Sequence, residues 1–464
     1  MLVPDLFLAM MKEEWRIHST VFWGFWFALF PVMIVVFAFF GSLTLPFFSD
    51  AVPYTVAALL AQIFFLLAGA MVGSFGLMGR EFMNRRFGQA SLIAYVSRSL
   101  PISEKRIFAT FLMKDTIYYI LLYVLPFTVG FAAATPFISI DPGYIILAFA
   151  SLALAFLIGL SAVCFLSTLY AHSVRLLAAT LVVLALALFH AGTVVFPPYS
   201  FFLDPGLEPL ALSLLFILIP AAISVLFVTV DYPDQVKRFK NSLDSLAERL
   251  SPLGSEHFIA KDALDLLRSE GGAGKVVFSF LLPVGLIWLC LQILIQFVPG
   301  IDPLMIFAVL LGVISSTIYN WLTEFDSFSS YAFLPVEVSG VIDAKLKSYG
   351  ILSLLPVAVL VFAAAATGGA AAPFIPALAV LISVSTYTLA VTVYLTGLHP
   401  NVMLYHAGIF ARYVFATSPV LLLIIFASIF DPLYALGSLL LVPAAAFLLS
   451  RSRRGWQTWE ISGY

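Results

Sequence analysis

Twelve apolar runs, each long enough to cross a bilayer, divide this chain of 464 residues. A membrane-spanning helix needs about 20 apolar residues, and such runs lie at residues 20–45, 53–78, 116–139, 143–170, 176–196, 210–230, 276–298, 303–323, 349–370, 374–398, 413–430 and 433–450. Only 10% of the residues are charged, and the mean hydropathy of +1.07 exceeds that of soluble globular proteins. The sequence therefore predicts an all-α integral membrane protein with 12 transmembrane helices.

The basic residues predict the orientation of these helices. When the loops are assigned alternately to the two sides of the membrane, all 23 Lys and Arg residues fall on the same side. Short cytoplasmic loops of membrane proteins are enriched in Lys and Arg, and so both termini are expected in the cytoplasm. The N-terminal residues lack the form of a cleaved signal peptide, and the first span is expected to remain in the mature protein. We expect a multi-pass protein of the cell (plasma) membrane.

The loops on the opposite side are short, and four of them contain the dipeptide Asp-Pro. Asp is a good N-cap residue and Pro suits the first position of a helix, and so this pair favours a helix start. We expect the returning helix of each hairpin to begin after Asp141, Asp204, Asp302 and Asp431. An acidic mouth that binds cations is the alternative interpretation.

The runs form two sets of six around a polar segment, which suggests an internal duplication. The predicted units are residues 1–230 and 275–464, joined by a cytoplasmic linker at 231–274. An amphipathic surface helix is expected before each set, at residues 2–18 and at residues 256–270. Because six is an even number, both sets enter from the same side, and the two six-span repeats are expected to be parallel.

A second parallel follows the second span of each half. A Glu is followed by a Pro, after twenty residues in the first half and after eleven in the second. A Lys then follows the Pro, thirteen residues on in the first half and twelve in the second. The matched positions are Glu81, Pro101 and Lys114 in the first half and Glu324, Pro335 and Lys347 in the second.

The apolar runs contain no Asp, Glu, Lys or Arg away from their ends. Proton relays and ion-coupled transporters use ionisable groups inside the membrane, and so the sequence argues against energy from an ion gradient. No catalytic site, metal site, cofactor or nucleic-acid partner is predicted. The uncharged polar side chains in the runs are expected to form hydrogen bonds between helices, and they are Gln62, His190, Gln292, Gln296 and Asn320.

The order of elements in the first half is specific enough to compare with a known family. A surface helix and two spans are followed by Arg80-Glu81, Gly88, a short helix at 90–99 and Leu100-Pro101-Ile102-Ser103. This order resembles the permease subunits of type-2 ABC exporters, and the resemblance covers essentially the whole chain as two fused six-span permeases. It implies export by alternating access, driven by two copies of a separate ABC ATPase subunit. The chain itself is then expected not to be an enzyme.

In that family the segment after the second span forms a coupling helix that docks on the ATPase, and the helix before the first span makes a second contact. The coupling contact, carried over by position, consists of Glu81, Gly88, Leu100, Pro101, Ile102, Ser103 and Arg106 in the first half and of Glu324, Asp326, Leu334, Pro335 and Glu337 in the second. The second copy lacks a counterpart of Gly88 and has Glu337 in place of Ser103. Its docking is expected to be weaker or to use a different partner.

Other interpretations stay open. Glu81 and Glu324 also suit charged residues that face headgroup water at the end of a span. A major-facilitator-like secondary transporter has twelve spans in two parallel halves, but its loop between spans two and three is a turn of under about ten residues. Here the corresponding polar segment runs from Gly79 to Asp115.

A non-transporting membrane scaffold subunit is the third class of function that fits the sequence. Membrane lipid is an expected partner, and a small-molecule or lipid-like substrate stays unidentified.

The purified chain is expected to hydrolyse no ATP. Residues 271–275 read Gly-Gly-Ala-Gly-Lys and look like the end of a phosphate-binding loop. The Ser or Thr that such a loop needs for Mg²⁺ is replaced by Val276, and Ser269 stands where its first Gly belongs. A phosphate-release assay on the purified chain tests this expectation, and measurable ATP turnover would contradict it.

Overall fold

The structure of the protein is a computed structural model built from helices. It describes residues 3–21, 25–48, 53–73, 102–138, 140–173, 175–180, 183, 196–227, 239–268, 276, 280–295, 302–324, 336–367, 371–400 and 407–457. No β-strand occurs in these ranges. The chain divides into two compact units, Met1–Gln235 and Val236–Tyr464.

The first unit begins with an amphipathic helix and continues with apolar helices. Its described helices are α1 (Val3–Val21), α2 (Phe25–Leu43), α3 (Leu45–Phe48), α4 (Tyr54–Gly73), α5 (Glu104–Tyr119), α6 (Leu125–Ile138), α7 (Gly143–His172), α8 (Pro197–Leu203) and α9 (Leu207–Phe227). A π-helical turn at Ile120–Val124 joins α5 to α6. These two helices therefore form one continuous rod.

The second unit begins with two short helices of the predicted linker. Its described helices are α10 (Leu243–Leu250), α11 (Glu256–Arg268), α12 (Leu282–Leu294), α13 (Pro303–Ser315), α14 (Thr317–Glu324), α15 (Val338–Leu352), α16 (Leu354–Ala366), α17 (Ala371–Thr396), α18 (Ala407–Phe430) and α19 (Leu441–Trp456). A 3₁₀ segment at Pro432–Leu440 leads directly into α19.

Within the described ranges, nine helices are long and apolar enough to cross a membrane. They are Tyr54–Gly73, Lys105–Ile138, Gly143–Leu169, Leu207–Phe227, Pro303–Thr323, Val338–Ala366, Pro373–Thr396, Gly408–Phe430 and Pro432–Trp456. The first and seventh predicted spans contain shorter apolar helices, Leu29–Leu43 and Pro283–Gln292. The fifth, at 176–196, lies largely outside the described residues. The described part of the chain is therefore helical and has several apolar helices of the length that a multi-pass membrane protein needs, and the count of twelve stays a prediction.

Three of the four predicted Asp-Pro helix starts have the expected cap. The carboxylates of Asp302 and Asp431 each accept a hydrogen bond at 2.8 Å from the backbone N–H two residues on. Asp141 accepts the N–H of Gly143 at 2.8 Å. Asp204 instead ends the short helix α8, and the next helix begins at Leu207. The Asp-Pro pair thus sets the start of the returning helix at three of the four loops.

Glycines allow the closest helix contact of the first unit, between α4 and α7. A Cβ atom at Gly69 would lie 1.9 Å from the carbonyl oxygen of Phe156, and one at Gly159 would lie 2.0 Å from that of Leu66. A Cβ atom at Gly73, one turn after Gly69, would lie 2.4 Å from a carbonyl oxygen of α7. Small residues four positions apart let the backbones of membrane helices approach one another. No larger residue fits here without separating the helices.

The corresponding contact in the second unit is between α13 and α17. A Cβ atom at Gly312 would lie 2.9 Å from Cβ of Val384. Buried hydroxyl groups strengthen the contact, because Ser315 donates to Ser385 at 2.8 Å and the Tyr349 hydroxyl of α15 lies 2.5 Å from the same Ser385 oxygen. Three helices of the second unit are thereby joined by hydrogen bonds inside the bundle.

The same order of helix packing occurs in each unit. In the first unit α4 packs on α7, α7 packs on α9, and the amphipathic α1 packs on α5. In the second unit α13 packs on α17, α17 packs on α19, and the amphipathic α11 packs on α15. In both units the amphipathic helix therefore packs on the helix that follows the polar segment after the second predicted span.

Replacing Gly159 by Ala is expected to destabilise the first unit. The new methyl group would overlap the backbone of α4, and overpacking of this kind costs about 1–3 kcal/mol or more. Gly41→Ala in α2 is the matched control, since a Cβ atom at Gly41 meets no atom within 4 Å. Thermal unfolding in detergent should show a lower Tm for Gly159→Ala and an unchanged or higher Tm for Gly41→Ala. Equal Tm values for the two variants would contradict the α4–α7 contact.

Candidate functional site

A buried group of charges lies where α1 packs on α5. Lys114 of α5 is 2% exposed, and its Nζ lies 2.7 Å from Oε2 of Glu14 and 2.7 Å from Oδ1 of Asp115. Glu13, the residue before Glu14 in α1, is also buried, with 6% of its surface exposed. The Lys114 ammonium also stands 4.3 Å from the centre of the Phe111 ring, a distance suited to a cation–π contact. Glu14, Lys114 and Asp115 are named the first ion cluster.

Apolar side chains next to the first ion cluster attach the start of α5 to α1. Leu6 and Met10 of α1 are buried together with Ile107 of α5, and Ile102 and Phe111 pack against them. Ile107 precedes Lys114 by seven residues, which is two turns of an α-helix. The first turns of α5 are thus fixed to α1 by apolar contacts at one end and by an ion pair two turns later.

A second buried group of charges lies where α11 packs on α15. Lys345 of α15 is 1% exposed and forms an ion pair with Asp262 of α11. Its Nζ also donates to the backbone carbonyl of Leu322 in α14 at 2.7 Å. Ser348 donates to the other carboxylate oxygen of Asp262 at 2.7 Å. One ammonium group therefore joins three helices. Asp262, Lys345 and Ser348 are named the second ion cluster.

Removing one partner from these buried contacts is more destabilising than removing one partner from a surface ion pair nearby. Removing one partner of a buried ion pair typically costs about 3–5 kcal/mol, because the remaining charge stays out of water without compensation. Lys261 and Asp265 on α11 form such a surface ion pair. Their charged atoms lie 2.9 Å apart, and both side chains are 37% exposed. Such surface pairs contribute no more than about 1 kcal/mol. The position of α11 therefore depends on the second ion cluster.

The helices that carry the two buried lysines begin in the same way. Ser103 is the N-cap of α5, with φ −66° and ψ 140°. Glu337 is the N-cap of α15, with φ −77° and ψ 141°. Both residues were matched to each other from sequence, and both have the extended backbone of an N-cap residue.

Five of the twelve residues predicted to contact an ATPase lie in the described part of the chain. Ser103, Arg106 and Glu337 are exposed, Ile102 is half-buried against α1, and Glu324 is the last residue of α14. The other seven lie outside the described residues, and they are Glu81, Gly88, Leu100, Pro101, Asp326, Leu334 and Pro335. The short helix predicted at 90–99 lies outside them too. A contact with an ATPase stays a prediction for all twelve.

By burial, the residue of α15 that resembles Lys114 is Lys345 and not Lys347, which was matched to Lys114 from sequence. The buried lysine of α15 is Lys345, whereas Lys347 is exposed and its Nζ lies 3.3 Å from the carbonyl oxygen of Gly254. Residues two apart on a helix do not share a face, and residues three apart do. Lys345 and Ser348 accordingly reach Asp262 together, and Lys347 does not.

Sequence reading also placed these charges outside the helices that cross the membrane. Lys114 and Asp115 lie inside the continuous span Lys105–Ile138, and Lys345 lies inside Val338–Ala366. The spans were expected to begin only where the apolar runs begin, at residues 116 and 349. A helix can extend beyond the bilayer, however, and at 34 residues the first of these is about 14 residues longer than a membrane needs.

A signal for the buried acids was present in the amphipathic helices. Asp262 follows the buried Ile259 by three residues. In α1 the same spacing from the buried Met10 selects Glu13, whereas the acid that pairs with Lys114 is Glu14. Residues three apart lie on one face of a helix, and so each acid is aligned with an apolar stripe that is itself buried. An acid in that position needs a buried basic partner.

Two of the polar side chains predicted to form hydrogen bonds between helices have a buried atom without a partner among the described residues. Oε1 of Gln62 and Nε2 of Gln292 are buried without a hydrogen-bond partner in the described part of the chain. His190 and Gln296 lie outside that part. Burial of an unpaired polar atom is unfavourable.

The chain matches no protein-family model, no curated protein and no solved structure. Among the residues that the structure describes, no group of three or more His, Cys, Asp or Glu side chains is placed to hold a metal ion. The two ion clusters are therefore interpreted from their geometry alone.

Replacing Lys345 by Met is expected to lower the free energy of unfolding by about 3–5 kcal/mol, because Asp262 stays buried without its cation. Lys347→Met is the matched control on the same helix. Its contact with Gly254 is exposed to water, and its loss should cost no more than about 1 kcal/mol. Chemical unfolding of the two variants in detergent measures the difference. Equal destabilisation would show that the second ion cluster does not fix α15.

Proposed function

We propose that the chain is the membrane permease of an ATP-driven, ABC-type exporter, in which a separate ATPase subunit hydrolyses ATP. The observation that carries this proposal is that each unit ties an amphipathic helix to a long membrane-entering helix through a buried lysine. The tied helix is in both units the one that follows the predicted coupling segment. The two ATPase copies would each press on one such assembly.

Transmission of force explains why a buried ion pair suits this position. A push by an ATPase on an isolated surface loop would be absorbed by bending of that loop. In the first unit α1 and the first turns of α5 are joined by charges and by apolar contacts. A push on either helix would therefore displace both.

The length of the attached helices supports the same function. The span Lys105–Ile138 has 34 residues, which corresponds to about 51 Å at ~1.5 Å per residue. Force applied at its first turn would reach the opposite side of the membrane. The π-helical turn at Ile120–Val124 is the one irregular point along this rod, and such turns are frequent at functional positions in helices.

The proposal includes two parallel six-span repeats with both termini in the cytoplasm. The recurring order of helix packing and the two ion clusters support an internal duplication. Alternating access would then arise when the two repeats rock about a path between them. The cell membrane is the proposed location, and a small or lipid-like molecule is the proposed class of substrate.

A secondary transporter is the second candidate function, and the buried charges favour it to a limited extent. Lys114, Asp115 and Lys345 lie within candidate spans, and ionisable residues in spans often serve ion coupling. Lys114 is only the tenth of the 34 residues of its span, however, and it lies before the apolar run. Attachment of α1 accounts for that position better than a route for ions through the membrane.

Co-purification with an ABC ATPase encoded beside the gene tests the proposed function. Glu81→Lys and Glu324→Lys should each abolish the association or uncouple ATP turnover from transport, because the charge at the predicted docking segment is reversed. Glu208→Lys is the matched control, since Glu208 is an exposed acid at the start of α9 and is predicted on the opposite side of the membrane.

The outcomes of this experiment separate the candidate functions. Unchanged association and unchanged coupling in both variants would contradict the proposed docking segments. Transport that proceeds in vesicles without any ATPase, driven by a proton or sodium gradient, would support the secondary transporter instead.

A further inference from the structure

A cavity of about 200 Å³ lies between α15, α17 and α19 in the second unit. Its apolar walls include Ile342 and Leu346 of α15 and Leu449 of α19. Its polar side includes Asp343 of α15 and Arg453 of α19. The volume is well above the roughly 10–15 Å³ that one water needs and below the roughly 300–1,000 Å³ of sites for drug-sized ligands. A small polar group with a short apolar extension fits this space.

The two charged residues contact each other at the polar side of the cavity. Nη2 of Arg453 lies 2.7 Å from each carboxylate oxygen of Asp343. The side chains are 57% and 31% exposed, so that solvent and ligands reach both groups. A solvent-exposed ion pair of this kind contributes no more than about 1 kcal/mol to stability. A ligand that carries both charges can therefore replace the direct contact at little cost.

The position of Arg453 favours a cavity at the level of lipid headgroups, because the apolar run at 433–450 ends three residues before it. Arg453 stands three residues before the end of the candidate span Pro432–Trp456. The ends of a membrane-spanning helix lie at the boundary between hydrocarbon and water, where headgroups concentrate. A lipid of the surrounding bilayer therefore reaches the cavity without leaving its leaflet.

We propose that this cavity binds the headgroup of a phosphoethanolamine lipid. The phosphate accepts hydrogen bonds from the guanidinium of Arg453, whose planar fork matches phosphate oxygens. The ammonium group donates to Asp343. The first methylene groups of the lipid lie against Leu346 and Leu449. This site is independent of the transport function proposed above.

The charges of the site disfavour other common headgroups. A purely anionic headgroup offers a partner for Arg453 but leaves the Asp343 carboxylate facing negative charge. A phosphocholine headgroup carries the right charges, but its methylated nitrogen has no N–H to donate to Asp343. The Arg453 guanidinium next to the Asp343 carboxylate therefore favours a headgroup that has both a phosphate and a free ammonium.

Native mass spectrometry of the full chain tests the proposal with phosphatidylethanolamine, phosphatidylcholine and phosphatidylglycerol of identical acyl chains. We expect phosphatidylethanolamine to be retained about tenfold better than the other two, the effect of one further charge-assisted contact. Arg453→Gln and Asp343→Asn should remove this preference. Arg454→Gln is the matched control, because Arg454 is exposed and does not line the cavity.

A further variant guards against a folding defect in the charge variants. Leu449→Trp fills the cavity while Arg453 and Asp343 keep their contact, and it should abolish the lipid preference in a folded protein. Equal retention of the three lipids by the unmodified chain, or an unchanged preference in Leu449→Trp, would overturn the proposal. Free O-phosphorylethanolamine is tested in parallel, and binding of the free compound without binding of the lipid would overturn the assignment to a lipid.

Discussion

The architecture of each unit depends on a lysine ammonium that is buried away from water and therefore needs a carboxylate partner. Lys114 and Lys345 are almost completely buried, and each finds its carboxylate on an amphipathic helix that is distant in the sequence. The penalty for leaving either charge unpaired far exceeds the contribution of a surface ion pair. Each amphipathic helix is consequently held against one particular helix. In the first unit this position also lets Leu6 and Met10 of α1 pack against Ile107 of α5.

The rest of each unit gives this attachment a rigid base. In the first unit the backbones of α4 and α7 meet at Gly69 and Gly159 with no room for a side chain. In the second unit α13 and α17 are joined by hydrogen bonds of Ser315 and Ser385. Helices packed so closely move together, and so a displacement of the amphipathic helix would be transmitted as a displacement of the bundle. This physical argument connects the ion clusters to the proposed coupling with an ATPase.

The fold class was predictable from sequence because the apolar runs satisfy the length rule for a bilayer and the Asp-Pro pairs cap helices locally. Both signals depend only on residues that are close together in the sequence. The ion clusters were not predictable in the same way, because Lys345 and Asp262 are 83 residues apart and their pairing depends on which face of α15 meets α11. Spacing from Pro335 favoured Lys347, and only helical phase distinguishes the two lysines. The apolar stripe through Ile259 and Asp262 was the one local sign of the buried acid.

A double-mutant cycle on Asp262 and Lys345 tests most directly whether the buried ion pair fixes the amphipathic helix. The free energy of unfolding is measured for Asp262→Leu, Lys345→Met and the double variant. Replacing both charges by apolar groups is far less harmful than removing one, and so the double variant should be more stable than the sum of the single effects predicts, by more than about 1 kcal/mol. Single effects that add to within about 0.5 kcal/mol would contradict the account.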